Sequence, residues 1–222
     1  IEAFNCESLQ EIFVINEMAH LHGVKANISV RINPDIDAHT HKYVTTGLYE
    51  NKFGISNHEF DKLIEFIQKS EHINFIGLHF HIGSQITRVD EVFSLECKRV
   101  NEIVKYFESK GLTVRNINLG GGLGVDYDDP DGNPIADFKT WFNAIDRNII
   151  RRADQTVHVE QGRSLVAQCA SLISRVLFVK SGETKNFLIM DAGMNDLIRP
   201  ALYGAYHKIE NLSAAQRSFF PT

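Results

Sequence analysis

Apolar and polar positions along the chain switch period repeatedly, from helical to extended and back. In "CESLQEIFVINEMAHLHG", Leu9, Ile12, Phe13 and Ala19 recur at helical spacing and stop at Gly23; "NISVRINP" then sets Ile28, Val30 and Ile32 at every second position. The spacing predicts a helix and then a strand. "SNHEFDKLIEFI" opens with Ser56 and Glu59 in capping-box spacing, continues with Phe60, Leu63, Ile64 and Ile67 on one face, and gives way to the strand-like "INFIGLHF". Val92, Leu95, Val100, Ile103, Val104 and Phe107 predict a third helix closed by Gly111, "VRNINLGGG" a strand, Trp141 to Ile149 a fourth helix, and "TVHVE" a further strand.

Strands that alternate with amphipathic helices and are apolar on both faces predict a parallel sheet with helices packed outside it. The unusual residues decide between an open, doubly wound sheet and a closed barrel. His79 and His81, Gly120 to Gly122, and Glu160 to Arg163 all fall at the C-terminal ends of successive strands. A barrel mouth gathers many strand ends on one point, whereas an open sheet uses mainly its switch point. The expected fold is therefore α/β, a partial (β/α)8 TIM-like barrel. Eight strand–helix units need roughly 250 residues, so the four units ending at Glu160 are about half of one. After Arg163 the texture changes to "SLISRVLFVKSGETKNFLIMDAG", two apolar runs split by the turn-like "KSGETKN". This predicts the start of a mostly antiparallel β domain, with residues 1–168 as the C-terminal half of the barrel and 169–222 as the beginning of the β domain. "GVDYDDPDGNPIAD" reads as a solvated excursion between elements.

Composition narrows the class of function. The 222 residues are 43% hydrophobic and 23% charged, as in an ordinary folded domain, and the formal net charge is −5 with both signs interleaved. That pattern offers no basic stripe for nucleic acid, and no run reaches the length of a transmembrane helix. The three cysteines, Cys6, Cys97 and Cys169, lie far apart, which argues against a disulfide framework or a paired-thiol metal site. A cytoplasmic protein acting on small molecules is expected. The chain begins at Ile1 within a strand-to-helix junction and stops at "RSFFPT", so it is expected to be a piece of a longer protein lacking both ends.

Three consecutive glycines directly after a strand leave backbone N–H groups open to an anion; a tight turn at the strand end is the alternative. "NLGGGLG" matches neither the Walker loop nor the dinucleotide fingerprint. Glu160 and Arg163 flank Gly162, as a surface ion pair or as site residues. A carboxylate beside a phosphate cradle can hold a proton on a heteroaromatic nitrogen, which is what pyridoxal phosphate requires. His79 and His81 point to one side of their strand, but a metal site needs a further ligand, and only Glu160 is placed to supply it, so no metal is assigned. His79 reads as a core histidine, and His81, nearer the mouth, as a ring able to stack on a cofactor. In "DAGMNDLIRPALYGAYH", a helix would set Arg199 and Tyr203 on one face, able to take a carboxylate or simply to line an interdomain surface.

Taken in order, "KFGI", "GLHFHIGSQI", "NLGGGLGVDY", "EQGRSLVA" and "DAGMNDLIRPALYGAYH" resemble the diaminopimelate decarboxylase family of barrel enzymes that use pyridoxal phosphate. The likeness covers nearly the whole chain. It implies that His81 stacks on the cofactor ring, that Ser84 and Gly120, Gly121 and Gly122 lie by its phosphate with Gly162, and that Glu160 pairs with the ring nitrogen. Arg163, Arg199 and Tyr203 would hold the distal carboxylate of meso-diaminopimelate, and the product would be L-lysine. The resemblance also implies a homodimer, with the Schiff-base lysine upstream of Ile1 and a catalytic Cys–Glu pair beyond Thr222; Lys52 and the other lysines present are not promoted to that role. Gln161 stands where the family usually has proline. The competing readings are a decarboxylase of ornithine, arginine or carboxynorspermidine, and a catalytically silent homologue that binds a partner enzyme.

Overall fold

The structure is a computed structural model, which describes residues 1–36 and 53–213. Lys52 lies outside the described residues. The first elements are β1 (Phe4–Cys6), α1 (Leu9–Leu21) and β2 (Ala26–Arg31). A single 3-10 turn at Asn57–Glu59 leads into α2 (Phe60–Lys69), followed by β3 (Ile73–His79), α3 (Val89–Ser109), β4 (Asn116–Asn118), α4 (Phe138–Asn148), β5 (Thr156–His158) and the short α5 (Arg163–Val166). Beyond these come β6 (Val176–Ser181), β7 (Asn186–Met190) and α6 (Arg199–Tyr203). By contacts the chain divides into two units, one of residues 1–125 and 135–165, the other of residues 126–134 and 166–222.

In the first unit β1 to β5 pair in chain order, and every pairing is parallel. A doubly wound sheet would reverse that order at a switch point. Curvature settles the matter. Neighbouring strands lie about 4.8 Å apart, so in a flat sheet β1 and β5 would be separated by roughly 19 Å. Yet the Asn5 side-chain amide of β1 reaches to 3.5 Å from the Glu160 carboxylate just beyond β5. Only a sheet curled into an arc brings its outer strands that close, and the arc is part of a barrel wall.

Helices cover the outside of the arc with the apolar stripes that the sequence encodes. Leu63, Ile64 and Ile67 of α2, and Val100, Ile103, Val104 and Phe107 of α3, join Ile28, Val30, Leu78 and Ile117 of the strands in one buried cluster. Burying a side chain of this size stabilises by about 1.5–3 kcal/mol, which is why the short strands hold their places.

Three expectations need correction. Ser56 makes no side-chain cap bond; its carbonyl instead accepts from the Glu59 N–H, closing the 3-10 turn ahead of α2. Leu95 is half exposed, whereas its neighbour Glu96 is completely buried. The many apolar residues at the register of Val92, Val100, Ile103 and Phe107 fix the rotation of α3, and that rotation turns Leu95 outward and drags Glu96 in. Phe13 likewise sits at the edge of its stripe, partly exposed, and its ring meets Phe66 edge-on at 4.3 Å.

In the second unit β6 and β7 form an antiparallel hairpin, and the acidic excursion of residues 126–134 belongs with it. α6 is only five residues long and ends at Gly204, whose left-handed φ of 60° turns the chain sharply.

Candidate active site at the strand ends

The register of the sheet builds the site. Arg31 pairs with His79, His79 with Asn118, and Asn118 with His158, so four polar residues end four adjacent strands at one level. Glu160 stands two residues beyond β5. Its carboxylate accepts a hydrogen bond from the Asn118 amide at 2.8 Å and meets His79 Nε2 at 3.2 Å. Burial pushes the Glu160 carboxyl up, but the Asn118 hydrogen bond, the charge and hydrogen bond of His79 and the charge of His81 outweigh it and hold the group below the ordinary glutamate value. Glu160 is thus an ionised carboxylate held in place by Asn118 and His79, with the Asn5 amide at 3.5 Å.

Both histidines are shifted the other way. Burial lowers His79, against the opposing pull of Glu160. Burial, helped by the charges of Arg31 and His79, lowers His81 to about 4, so its ring is neutral at pH 7. His81 Nδ1 accepts the Gly121 N–H at 3.3 Å, which turns the imidazole toward the glycine run.

The glycines are required by close approach. A Cβ on Gly120 would lie 2.3 Å from the Phe80 carbonyl oxygen, one on Gly121 2.2 Å from that of Glu160, and one on Gly122 2.6 Å from that of Gly83. Gly120 also has a φ of +67°, which a side chain would strain. The run is therefore wedged between the ends of β3 and β5. Its N–H groups are not all available to an anion: Gly120 donates to Asn118 Oδ1 and Gly121 to His81. Among the described residues only the Gly122 N–H of the three makes no hydrogen bond, and it lies against the loop that carries Gly83 and Ser84.

That loop is fixed to the next one. Gln85, at a left-handed φ of 63°, accepts the Val125 N–H through its side-chain oxygen, while Ile86 N–H bonds to the Gly122 carbonyl and Gly124 N–H to the Ile86 carbonyl. Arg163, in the first turn after Gly162, donates to Ser84 Oγ through Nε at 3.3 Å and through a terminal nitrogen at 3.1 Å. Among the described residues Glu160 and Arg163 are not paired with each other; they diverge, one to the strand ends and one to the serine. Gly162 itself has open space where a Cβ would stand. Asn5, His79 and Asn118, which sequence reasoning left out of the site, are the groups that seat Glu160. The position of Asn118, one residue before the glycine run, and the two-residue step from His79 to His81 were the available signals.

In the second unit Arg199 and Tyr203 lie one helical turn apart on α6, with the guanidinium 5.8 Å from the tyrosine ring centre. Surface hollows of about 350 and 460 Å³ lie elsewhere, around His72 at the opposite end of β3, and gather none of these groups. Among the described residues no cluster of three or more metal-ligating side chains occurs, and no helix is long and apolar enough to cross a membrane.

Residues 1–167 match the family model described as "pyridoxal-dependent decarboxylase, pyridoxal binding domain", and the chain belongs to that family. Within it, the chain is similar to diaminopimelate decarboxylase of Bacteroides thetaiotaomicron, with 50% identity over 97% of this chain and 56% of the relative. Among solved structures it resembles the Helicobacter pylori diaminopimelate decarboxylase complexed with L-lysine, with a TM-score of 0.82, 37% identity, and coverage of 96% of this chain and 52% of that one. The M. jannaschii enzyme in co-complex with L-lysine aligns with a TM-score of 0.80 at 36% identity, over 93% of this chain and 48% of the other. The chain spans about half the length of the curated relatives it matches.

Proposed function

We propose that the protein containing this chain is a pyridoxal phosphate-dependent diaminopimelate decarboxylase, converting meso-2,6-diaminopimelate to L-lysine and carbon dioxide. The observation that carries the reading is the ionised Glu160 carboxylate, held by Asn118 and His79 among the ends of parallel strands. The residues present fit the cofactor. Ser84 Oγ with its Arg163 partner, and the Gly122 N–H against the neighbouring Gly83, are polar groups suited to a phosphate. The neutral His81 ring, which accepts the Gly121 N–H, offers a flat, uncharged face. When bound, pyridoxal phosphate supplies the electron sink that takes up the pair released as the carboxylate departs.

Glu160 keeps the proton on the ring nitrogen, because a nearby negative charge favours the cation. Asn118 and His79 stop the carboxylate from turning away, and His81, neutral at working pH, adds no competing positive charge. We assign the distal carboxylate of the substrate to Arg199 and Tyr203, which share α6: a fork of N–H groups suits a carboxylate, whereas the distal cation of ornithine or arginine would meet like charge. In the same reading residues 1–168 are the second half of a barrel and 169–222 the start of a β domain, and the complete protein is a cytoplasmic homodimer.

The test uses the complete protein. It should take on the near-ultraviolet–visible absorption of bound pyridoxal phosphate and form L-lysine from meso-diaminopimelate. Absorption with turnover of another basic amino acid instead would reassign the substrate. Absorption without any turnover would favour the silent homologue, and no absorption would remove the cofactor from the account.

A further inference from the structure

We propose that His207 and Tyr127 are positioning residues that set specificity for a carboxylate by fixing the fork of Arg199; the inference rests on the role given to Arg199 above. His207, Tyr127, Arg199 and Tyr203 all belong to the second unit. Gly204 ends α6 in the left-handed conformation and reverses the chain, so that His207, eight residues after Arg199, comes back beside it. Arg199 Nε donates to His207 Nε2 at 3.3 Å. An imidazole nitrogen that accepts must carry its lone pair, which places the ring proton of neutral His207 on Nδ1.

The guanidinium is held from the sides as well. It lies 5.2 Å from the centre of the Tyr127 ring and 5.8 Å from that of Tyr203, within the range of cation–π attraction. Tyr127 in turn meets the His207 ring edge-on, with centres 5.3 Å apart and planes at 64°. A free arginine can take a carboxylate in two ways, side-on through Nε and one terminal nitrogen, or end-on through both terminal nitrogens. With Nε committed to His207, the side-on fork is closed. The two terminal nitrogens make no hydrogen bond among the described residues, so the end-on fork is the one presented. Two aromatic rings and one histidine thereby choose the direction from which Arg199 receives an anion.

L-lysine and cadaverine separate this from a general effect, since they differ only in the carboxylate that Arg199 would hold. Both are used as competitive inhibitors of the complete protein loaded with pyridoxal phosphate. In His207→Ala the inhibition constant of L-lysine and the KM for diaminopimelate should each rise about tenfold, as expected for one weakened charge-assisted contact. The kcat and the inhibition constant of cadaverine should stay put. His207→Gln, whose amide oxygen can accept from Nε, should recover most of the loss. Tyr127→Leu should give a smaller change of the same kind, and Arg199→Met should erase the preference for L-lysine over cadaverine. If the alanine variant does not fold, His207→Asn, too short to reach Nε, replaces it. Equal weakening of both ligands, or no recovery in His207→Gln, overturns the proposal. A preference that survives Arg199→Met defeats the role of Arg199 and this inference with it, whereas an unsubstituted protein without diaminopimelate turnover defeats the proposed function itself.

Discussion

The two units of this chain treat their apolar residues in opposite ways. Every buried hydrophobic residue of the described structure, from Cys6 to Ala144, lies in the first unit. In the second, β6 and β7 are exposed along their whole length, with Phe178 at 69% and Val179 at 61% of full exposure. Yet Val176 to Val179 and Phe187 to Met190 are as apolar as the buried strands of the first unit. Strands of that composition are built to be covered on both faces. The difference teaches that a polar site of tight geometry forms where the core is closed around it. Where no core has closed, the chain carries an unmet demand for burial.

The largest effect expected from that contrast is at Gly121. A single added methyl, Gly121→Ala, sets a Cβ 2.2 Å from the Glu160 carbonyl oxygen. It should cost about 3 kcal/mol or more and abolish retention of pyridoxal phosphate, read by dialysis and absorption in the complete protein. Normal retention would mean that the glycine run is not wedged as described. Next, Glu160→Gln removes the charge and keeps the shape; turnover should fall about a hundredfold with little change in thermal midpoint. A drop within threefold would show that the carboxylate is dispensable.

Glu96 sharpens the comparison from inside the core. Among the described residues neither Glu96 carboxyl oxygen has a partner, and burial pushes the group well above its ordinary value. The folded state keeps the proton, while the unfolded chain releases it above about pH 4.5. Folding therefore takes up a proton, and stability declines as the pH rises past that point. Glu96→Leu should stabilise by about 1–2 kcal/mol at neutral pH, an advantage that shrinks below pH 4.5 and is read by denaturant titration at both values. The sign reverses at His81, held at about 4 when folded. Its unfolded form binds a proton first as the pH falls through 6.5, so stability is lost between 6.5 and about 4. The smallest effect on folding belongs to the exposed hairpin. Phe178→Lys with Leu188→Glu should change stability of the isolated chain by no more than about 0.5 kcal/mol while reducing its binding of a hydrophobic dye and raising its solubility. Unchanged dye binding would place the sticky surface elsewhere.

Much of the fold was legible because its signals are local. The stripe of Phe60, Leu63, Ile64 and Ile67 and the alternation of Ile28, Val30 and Ile32 each state a period, and the structure keeps both. What was not legible depended on several residues at once. Leu95 and Glu96 are adjacent, and which of them goes inside is decided by the summed pull of Val92, Val100, Ile103 and Phe107 on the rotation of α3. In the site, Glu160, His81 and the glycines stand out in sequence because their types are unusual at strand ends. His79 and Asn118 look ordinary there, and only the register of β3, β4 and β5 reveals that both face Glu160. The glycine run misled in a different way: its freedom from side chains was readable, but the capture of two of its N–H groups by Asn118 and His81 was not.

The claim on which the rest depends is that Glu160 keeps the cofactor ring cationic. Nitrogen-15 magnetic resonance of the complete protein, loaded with pyridoxal phosphate labelled at the ring nitrogen, measures that protonation directly. A protonated ring nitrogen in the unsubstituted protein at pH 7, and an unprotonated one in Glu160→Gln, is the predicted outcome. A ring nitrogen with the same protonation in both proteins would contradict the account.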